Sequence, residues 1–396
     1  MTAQNVETPA TKRLLEIDSL RGVAVLAVLT FHILTAFPEL HQTASSGLYL
    51  LTLPLRFGGH GVLLFLVISG FCIHLRAARK HDPQASLNWL GFWKRRFVRL
   101  YPPYLAIMFL ALLVMTLVAY LGNRPLWPPL GYTNEHFIKD LAAHLLMLHI
   151  FFLGLDAGFW NGALWSIALE EQLYILYSPF LKLRRKIGWK QILILTAVLS
   201  IVWRLVLLYN PWDPSYLSFN PGPGTGRSKN PSDVGQYLKL APSHWFEWCL
   251  GALAAEAYVG LAKIPRWCYR AETGLAFFVL GVISEYHPVG YIFQPVCWGL
   301  TFFILLNWSC RTREEPAPTR GMIWQKLASL GLWSYSLYLV HIPVMKSVDA
   351  FLYLGFLEKN IPLRLALLVL SPLVTGWIFY LFIEKPWSAR SRMVKV

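Results

Sequence analysis

Charge is scarce in this chain. Only 14% of its 396 residues are charged, where a soluble domain carries about 25%. Acids are the scarcer sign, 21 against 36 basic residues. A water-facing globule is therefore excluded. Cysteine is scarce too. Cys72, Cys249, Cys268, Cys297 and Cys310 show no CxxC spacing, which excludes a disulfide framework and a cysteine zinc site. The eleven histidines form no HExxH, so no metal site is expected. The glycine-rich stretch NPGPGTGRSKNPSD has no GK[ST] and no preceding strand, so it reads as a loop rather than a phosphate cradle. No small-residue cleavage site follows the first apolar run, which is expected to remain as a span.

Apolar residues are abundant, at 56%. They fall in runs of helical length, about 17–25 residues, and not in the alternating ten-residue strands of a barrel. Eleven segments stand out, at 18–37, 57–76, 99–121, 138–153, 165–181, 190–209, 244–260, 271–286, 290–308, 331–355 and 363–384. The formal charge of +15 would suit a nucleic-acid binder. The basic residues instead sit at the ends of apolar segments, as the positive-inside rule requires, so no nucleic acid is expected.

Those charges also set the count. Arg76, Arg79, Lys80, Lys94, Arg95, Arg96 and Arg99 mark one cytoplasmic loop; Lys182, Arg184, Arg185, Lys186 and Lys190 mark another. An even number of crossings must separate them, yet three segments lie between. The weakest is 138–153, IKDLAAHLLMLHIFFL, with Lys139, Asp140, His144 and His149. It reads as re-entrant or interfacial. The expectation is an all-α integral membrane protein: a bundle of about ten transmembrane helices plus that segment. A cytoplasmic tail at 1–17 precedes the membrane domain at 18–386, and a second tail follows at 387–396, in a multi-pass protein of the cell (inner) membrane.

Four constellations could carry chemistry. In DSLRGVAVLAVLTFHIL, Arg21 and His32 are eleven positions apart, three helical turns plus roughly 20°, so they share a face about 16 Å apart along the axis. Ionisable groups inside a span are costly and mark function by default. Alone, Arg21 could be a snorkelling anchor paired with Asp18. In KRRFVRLYPPY, Arg96 and Arg99 share a helical face at a span's cytoplasmic mouth, where two guanidinium forks suit phosphate; Tyr101 and Tyr104 follow. In LWSIALEEQLYILYSP, Ser166, Glu170, Tyr174 and Tyr177 form one polar stripe. Entered from Trp165, Glu170 lies about 7–8 Å down, at the depth expected for His32, whose imidazole it could orient. In GLWSYSLYLVHIPV, Ser334, Tyr338 and His341 form another stripe. His136 and Asp140 make an HxxxD, set aside because Lys139 between them marks a water-facing face.

In this order, the Arg–x10–His, the RxxR before LYP, the WSxxxEEQxY and the SYSLYxxH resemble acyltransferase family 3 membrane proteins. GHGVLLFLVISGF, ending at Phe71, looks like that family's second span, and FIEKP (382–386) like its usual ending. The resemblance runs from about 14 to 387. It departs from common family text at Ala168 and Ser178. It implies an acyl-CoA-dependent acyltransferase that moves acyl groups, commonly acetyl, from cytoplasmic acyl-CoA to a hydroxyl of a glycan or small molecule. It also implies His32 as the catalytic histidine with Glu170 beside it, and Arg21, Arg96, Arg99 and Tyr104 toward the acyl-CoA. Ser166, Tyr174, Ser334, Tyr338 and His341 are then candidates for the substrate. Some members add an esterase-like domain, which is not expected here. An N-acyltransferase of the same chemistry remains as an alternative. So does a transporter or flippase, which would more often show two related halves.

Overall fold

The computed structural model describes residues 14–37, 47–80, 88–122, 134–152, 154–155, 158–208, 237–286, 288–310, 321–355 and 359–394. The first 13 residues, NPGPGTGRSKNPSD, and the loop with Arg311, Arg313 and Arg320 lie outside these. No strand occurs among the described residues, and the elements are α1 (Leu15–Thr35), α2 (Gly47–Arg56), α3 (Gly61–Ala78), α4 (Trp89–Leu121), α5 (Asn134–Leu145), α6 (Trp165–Leu208), α7 (Ala241–Tyr258), α8 (Ala271–Ser284), α9 (Pro288–Cys310), α10 (Met322–Gly331), α11 (Ser334–Leu354), α12 (Ile361–Phe379) and α13 (Lys385–Met393). The all-helical class is as composition predicts.

Seven helices among the described residues are long and apolar enough to cross a membrane: 15–35, 52–78, 89–121, 165–207, 292–310, 334–354 and 361–393. The expected ten differ from these seven in three places. Residues 165–207 count once although Gly188, at φ 80°, divides α6 where an L side chain would be strained. The apolar α8 has only 14 residues. The third is α7, whose buried His244, Glu247 and Glu256 lower its hydropathy while facing protein rather than lipid.

Contacts fix the relative directions. Asp18 meets Gly331 at one end and His32 meets His341 further along, so α1 and α11 run together. Arg364 at the start of α12 donates to the Ala36 carbonyl at 2.8 Å, so α12 returns. The first half of α6 runs with α3, through Ser69–Glu170 and His74–Tyr177. Its second half runs against α7, through Trp189–Glu256 and Ser200–Ser243. The helices α3 and α7 meet backbone to backbone. A Cβ on Gly70 would lie 2.1 Å from the Trp248 carbonyl oxygen, and one on Gly251 2.0 Å from that of Val67. Small residues permit this approach, which is how helices associate without a hydrophobic drive.

Basic residues gather at one end. Arg184 pairs with Glu256, Ser391 donates to the Arg95 carbonyl, and Ser19 donates to that of Trp324. The chain reaches that end from α12 through a π turn at Tyr380–Glu384.

The segment 138–153 is not a span. Helix α5 has 12 residues, about 18 Å against a hydrocarbon core of about 30 Å. Its carboxyl end is tied to α4, with Tyr101 donating to the Leu145 carbonyl at 2.6 Å and Tyr104 to that of His144 at 3.0 Å. Asn161 then donates to the Leu339 carbonyl at 2.9 Å, inside α11 rather than at its end. Helix α6 therefore begins inside the bundle rather than at its surface.

Candidate active site

Two histidines face each other across α1 and α11. Nδ1 of His32 lies 2.9 Å from the Val28 carbonyl. A carbonyl only accepts, so Nδ1 carries the hydrogen and Nε2 keeps a lone pair. His341 repeats the arrangement, with Nδ1 2.6 Å from the Tyr338 carbonyl and a buried Nε2 without a partner. The rings meet edge to face, centroids 4.9 Å apart at 67°. His341 is 1% exposed, and His32 is half-buried. Each ring is thus held by its own helix with a basic nitrogen to spare.

One turn toward the basic end, the hydroxyls of Ser166 and Tyr338 are 2.6 Å apart, and Tyr338 also donates to the Ala163 carbonyl at 3.2 Å. Tyr338 tilts against His341, centroids 5.5 Å apart. The structure thus joins Ser166, Tyr338 and His341 from two helices that are far apart in sequence.

Below them is a layer of arginines and carboxylates. Glu170 accepts from Ser69 at 2.5 Å and from Tyr174. Arg21 reaches Asp18 at 3.4 Å and the Cys72 sulfur at 3.4 Å, and feels the charges of Glu170 and Glu384. Glu384 accepts from the Ser336 hydroxyl at 2.5 Å and backbone at 3.0 Å. Arg96 lies 5.4 Å over the rings of both Phe92 and Tyr174, a cation–π seat, and its buried Nε has no partner. Arg99 feels Arg21, Arg96 and Glu384. Among the described residues, neither Arg96 nor Arg99 is hydrogen-bonded to a carboxylate. Three guanidiniums close together repel, and a phosphate ligand would relieve that repulsion.

Some expectations change. Glu170 does not sit at the level of His32; its hydrogen bonds go to Ser69 and Tyr174, while His32 uses a backbone carbonyl. The depth count began at Trp165, and Trp165 lies inside the bundle. Tyr104 is fully buried and donates to α5, so it anchors that short helix and does not face the arginines through its hydroxyl. Ser334 donates to the Gly331 carbonyl at 3.0 Å, two turns from His341 and away from its own stripe's upper end. Asp140 is not water-facing: it is buried and pairs with His144, 2.8 Å away, four residues on. The exposed face belongs to Lys139 and Glu135, which pair with each other.

Other polar groups were not foreseen. Glu384 lay in FIEKP, which gave no sign of its depth. Glu256 binds His74 at 2.9 Å, Trp189 at 2.7 Å, and Arg184. Its partners lie 67 to 182 positions away, beyond the reach of any local spacing.

The family described as an acyltransferase domain matches residues 14–382. The chain belongs to this acyltransferase family. It is a multi-pass membrane protein of that family. It is 26% identical over 401 residues to the peptidoglycan O-acetyltransferase OatA of Listeria monocytogenes, covering 93% of this chain and 55% of the relative. It is 24% identical over 386 residues to the O-acetyltransferase OatA of Staphylococcus aureus (strain NCTC 8325 / PS 47), covering 93% and 56%. The chain thus spans about half the length of these acyltransferase relatives. No solved structure matches it. In this chain the arginine layer and the histidine pair occupy successive levels of one bundle.

Proposed function

We propose that this chain is a membrane O-acetyltransferase that moves an acetyl group from acyl-CoA, held at the basic end, to a hydroxyl of a glycan approaching from the opposite end. The basic end is assigned to the cytoplasm by the positive-inside rule, with ten crossings and both termini on that side. The observation that carries the reading is the His32 Nε2 lone pair, set against His341 above two arginines that make no carboxylate hydrogen bond among the described residues. The glycan acceptor and the acetyl group are drawn from the names of the relatives.

Phosphates of acyl-CoA would rest on Arg96 and Arg99, with the pantetheine arm rising past Arg21 and Glu170. In the direct route, His32 Nε2 removes the acceptor's hydroxyl proton as the oxygen attacks the thioester carbonyl. The carbon–sulfur bond breaks, and the CoA thiolate takes the proton from the imidazolium. In the relay route, His32 Nε2 attacks the thioester itself and CoA leaves as thiolate. The acceptor oxygen then displaces the imidazole while His341 Nε2 takes its proton. The Tyr338 hydroxyl would stabilise the oxyanion in either route by turning its hydrogen from the Ala163 carbonyl toward it. The histidine pair favours the relay, since each of its two steps has a nitrogen ready.

The test is to incubate purified protein with acetyl-CoA carrying labelled acetyl and analyse intact protein and peptides. Label trapped on the wild type and absent from His32→Ala supports the relay. Transfer to muropeptide or oligosaccharide without a trapped intermediate supports the direct route. If neither transfer nor CoA-dependent stabilisation is seen, while His32→Ala retains full activity in cells, the acyltransferase reading of this site fails. Transfer to an amine acceptor alone would replace O- by N-acylation.

A further inference from the structure

We propose that a cavity on the other flank of α3 is a binding site for an anionic phospholipid, with the headgroup on Arg266 and Arg270 and the acyl chains along α8. The cavity has a volume of about 850 Å³ and lies between α3, α7, α9 and the short turn 266–269. It is separate from the arginine layer. On α3, Ser69 and Cys72 face Glu170 and Arg21, while Phe71 lines the cavity.

Its lining divides by polarity. Phe71, Ala254 and Leu306 make an apolar part, while Tyr258, Tyr269 and Asn307 bring polar edges and Arg266 and Arg270 bring charge. Both arginines are exposed and make no carboxylate hydrogen bond among the described residues, so their charge is offered outward. An apolar interior beneath two cations fits an amphiphile whose charge is negative. Basic pockets between helices on the cytoplasmic side are suited to anionic headgroups.

The surroundings favour a lipid over a soluble nucleotide. Arg270 caps α8 directly. Leu275, Phe278, Val279, Leu280 and Ile283 of that helix are exposed, as is Trp267 in the turn, which packs against Phe277. Tryptophan beside a basic cluster is the usual composition of the membrane–water interface. A headgroup in the cavity therefore has an apolar helix face beside it for its chains.

The experiment reconstitutes the full chain in phosphatidylcholine nanodiscs with and without phosphatidylglycerol. It reads the melting temperature and retention of lipid by native mass spectrometry. Phosphatidylglycerol is expected to raise the melting temperature of the wild type and to remain bound. Arg266→Gln with Arg270→Gln should weaken retention about thirtyfold, from roughly 1 kcal/mol per basic residue. Ala257→Leu, which fills the cavity without changing charge, should also abolish the shift. Lys182→Gln with Arg185→Gln removes equal charge from exposed positions at the same end and should leave it intact. Retention unchanged in both cavity variants, or lost equally in the charge control, overturns the proposal. So does displacement of the lipid by free CoA or inorganic phosphate, which would make the cavity a site for soluble phosphates.

Discussion

His32 and His341 each spend Nδ1 on a carbonyl of their own helix, which makes their tautomers a product of local backbone rather than of a carboxylate. Loss of the ring and loss of its partner should therefore be separable. His32→Ala is expected to lower acetyl transfer by about 10²–10⁴-fold. His341→Gln keeps volume and polarity but cannot take a proton; in the relay it should let label accumulate on His32 and slow only its discharge. Single-turnover kinetics with labelled acetyl-CoA measure the two steps apart. Equal loss of both steps would place His341 in packing alone. Among residues, spacing on one helix was legible: Arg21 and His32, Arg96 and Arg99, Tyr338 and His341 all follow from a rise of 1.5 Å and a turn of 100° per residue. What a side chain touches on another helix was not. Glu170 and His32 seemed level because both were counted from segment ends, and a segment end need not be a membrane surface.

At the scale of elements, apolar runs were legible where they face lipid, as in α4 and α12. They were less so where a helix turns polar groups inward, as α7 does with Glu247 and Glu256. That α5 does not span could be inferred from loop charge, because three crossings could not connect two basic loops on one side. The pairing of α3 with α7 had no sequence signal beyond two glycines. It makes a clear demand: Gly251→Ala would place a methyl 2.0 Å from the Val67 carbonyl oxygen. Forcing these backbones apart should cost about 1–3 kcal/mol. A lowered melting temperature of the purified variant, with transfer by the remaining folded protein intact, is the expected outcome. An unchanged melting temperature would mean that the two helices are not in backbone contact.

For the whole molecule, charge asymmetry is the organising property. Helices carrying Arg184, Arg95, Lys326 and Arg390 meet at one end through contacts between elements far apart in sequence. Single cysteines introduced at the exposed positions Lys186, Lys326 and Arg390, in a background with the native cysteines replaced, should all resist a membrane-impermeant thiol reagent in intact cells. All should react in inverted vesicles. Reaction of any one from the outside would break the proposed arrangement of crossings.

The π turn at Tyr380–Glu384 has a further consequence. A π turn holds one residue more than an α turn, so it absorbs that residue locally and the helices on either side keep their phase. Removing the exposed Phe382 would leave an α turn with Ser391 still on the Arg95 carbonyl, whereas an alanine inserted after Lys385 would rotate Ser391 away from Arg95 by about 100°. That insertion changes no charged side chain, yet it should reproduce the effect of Ser391→Ala on the melting temperature of the purified protein. In this sense, the C-terminal segment works as a phase key, in which the number of residues matters as much as their identity.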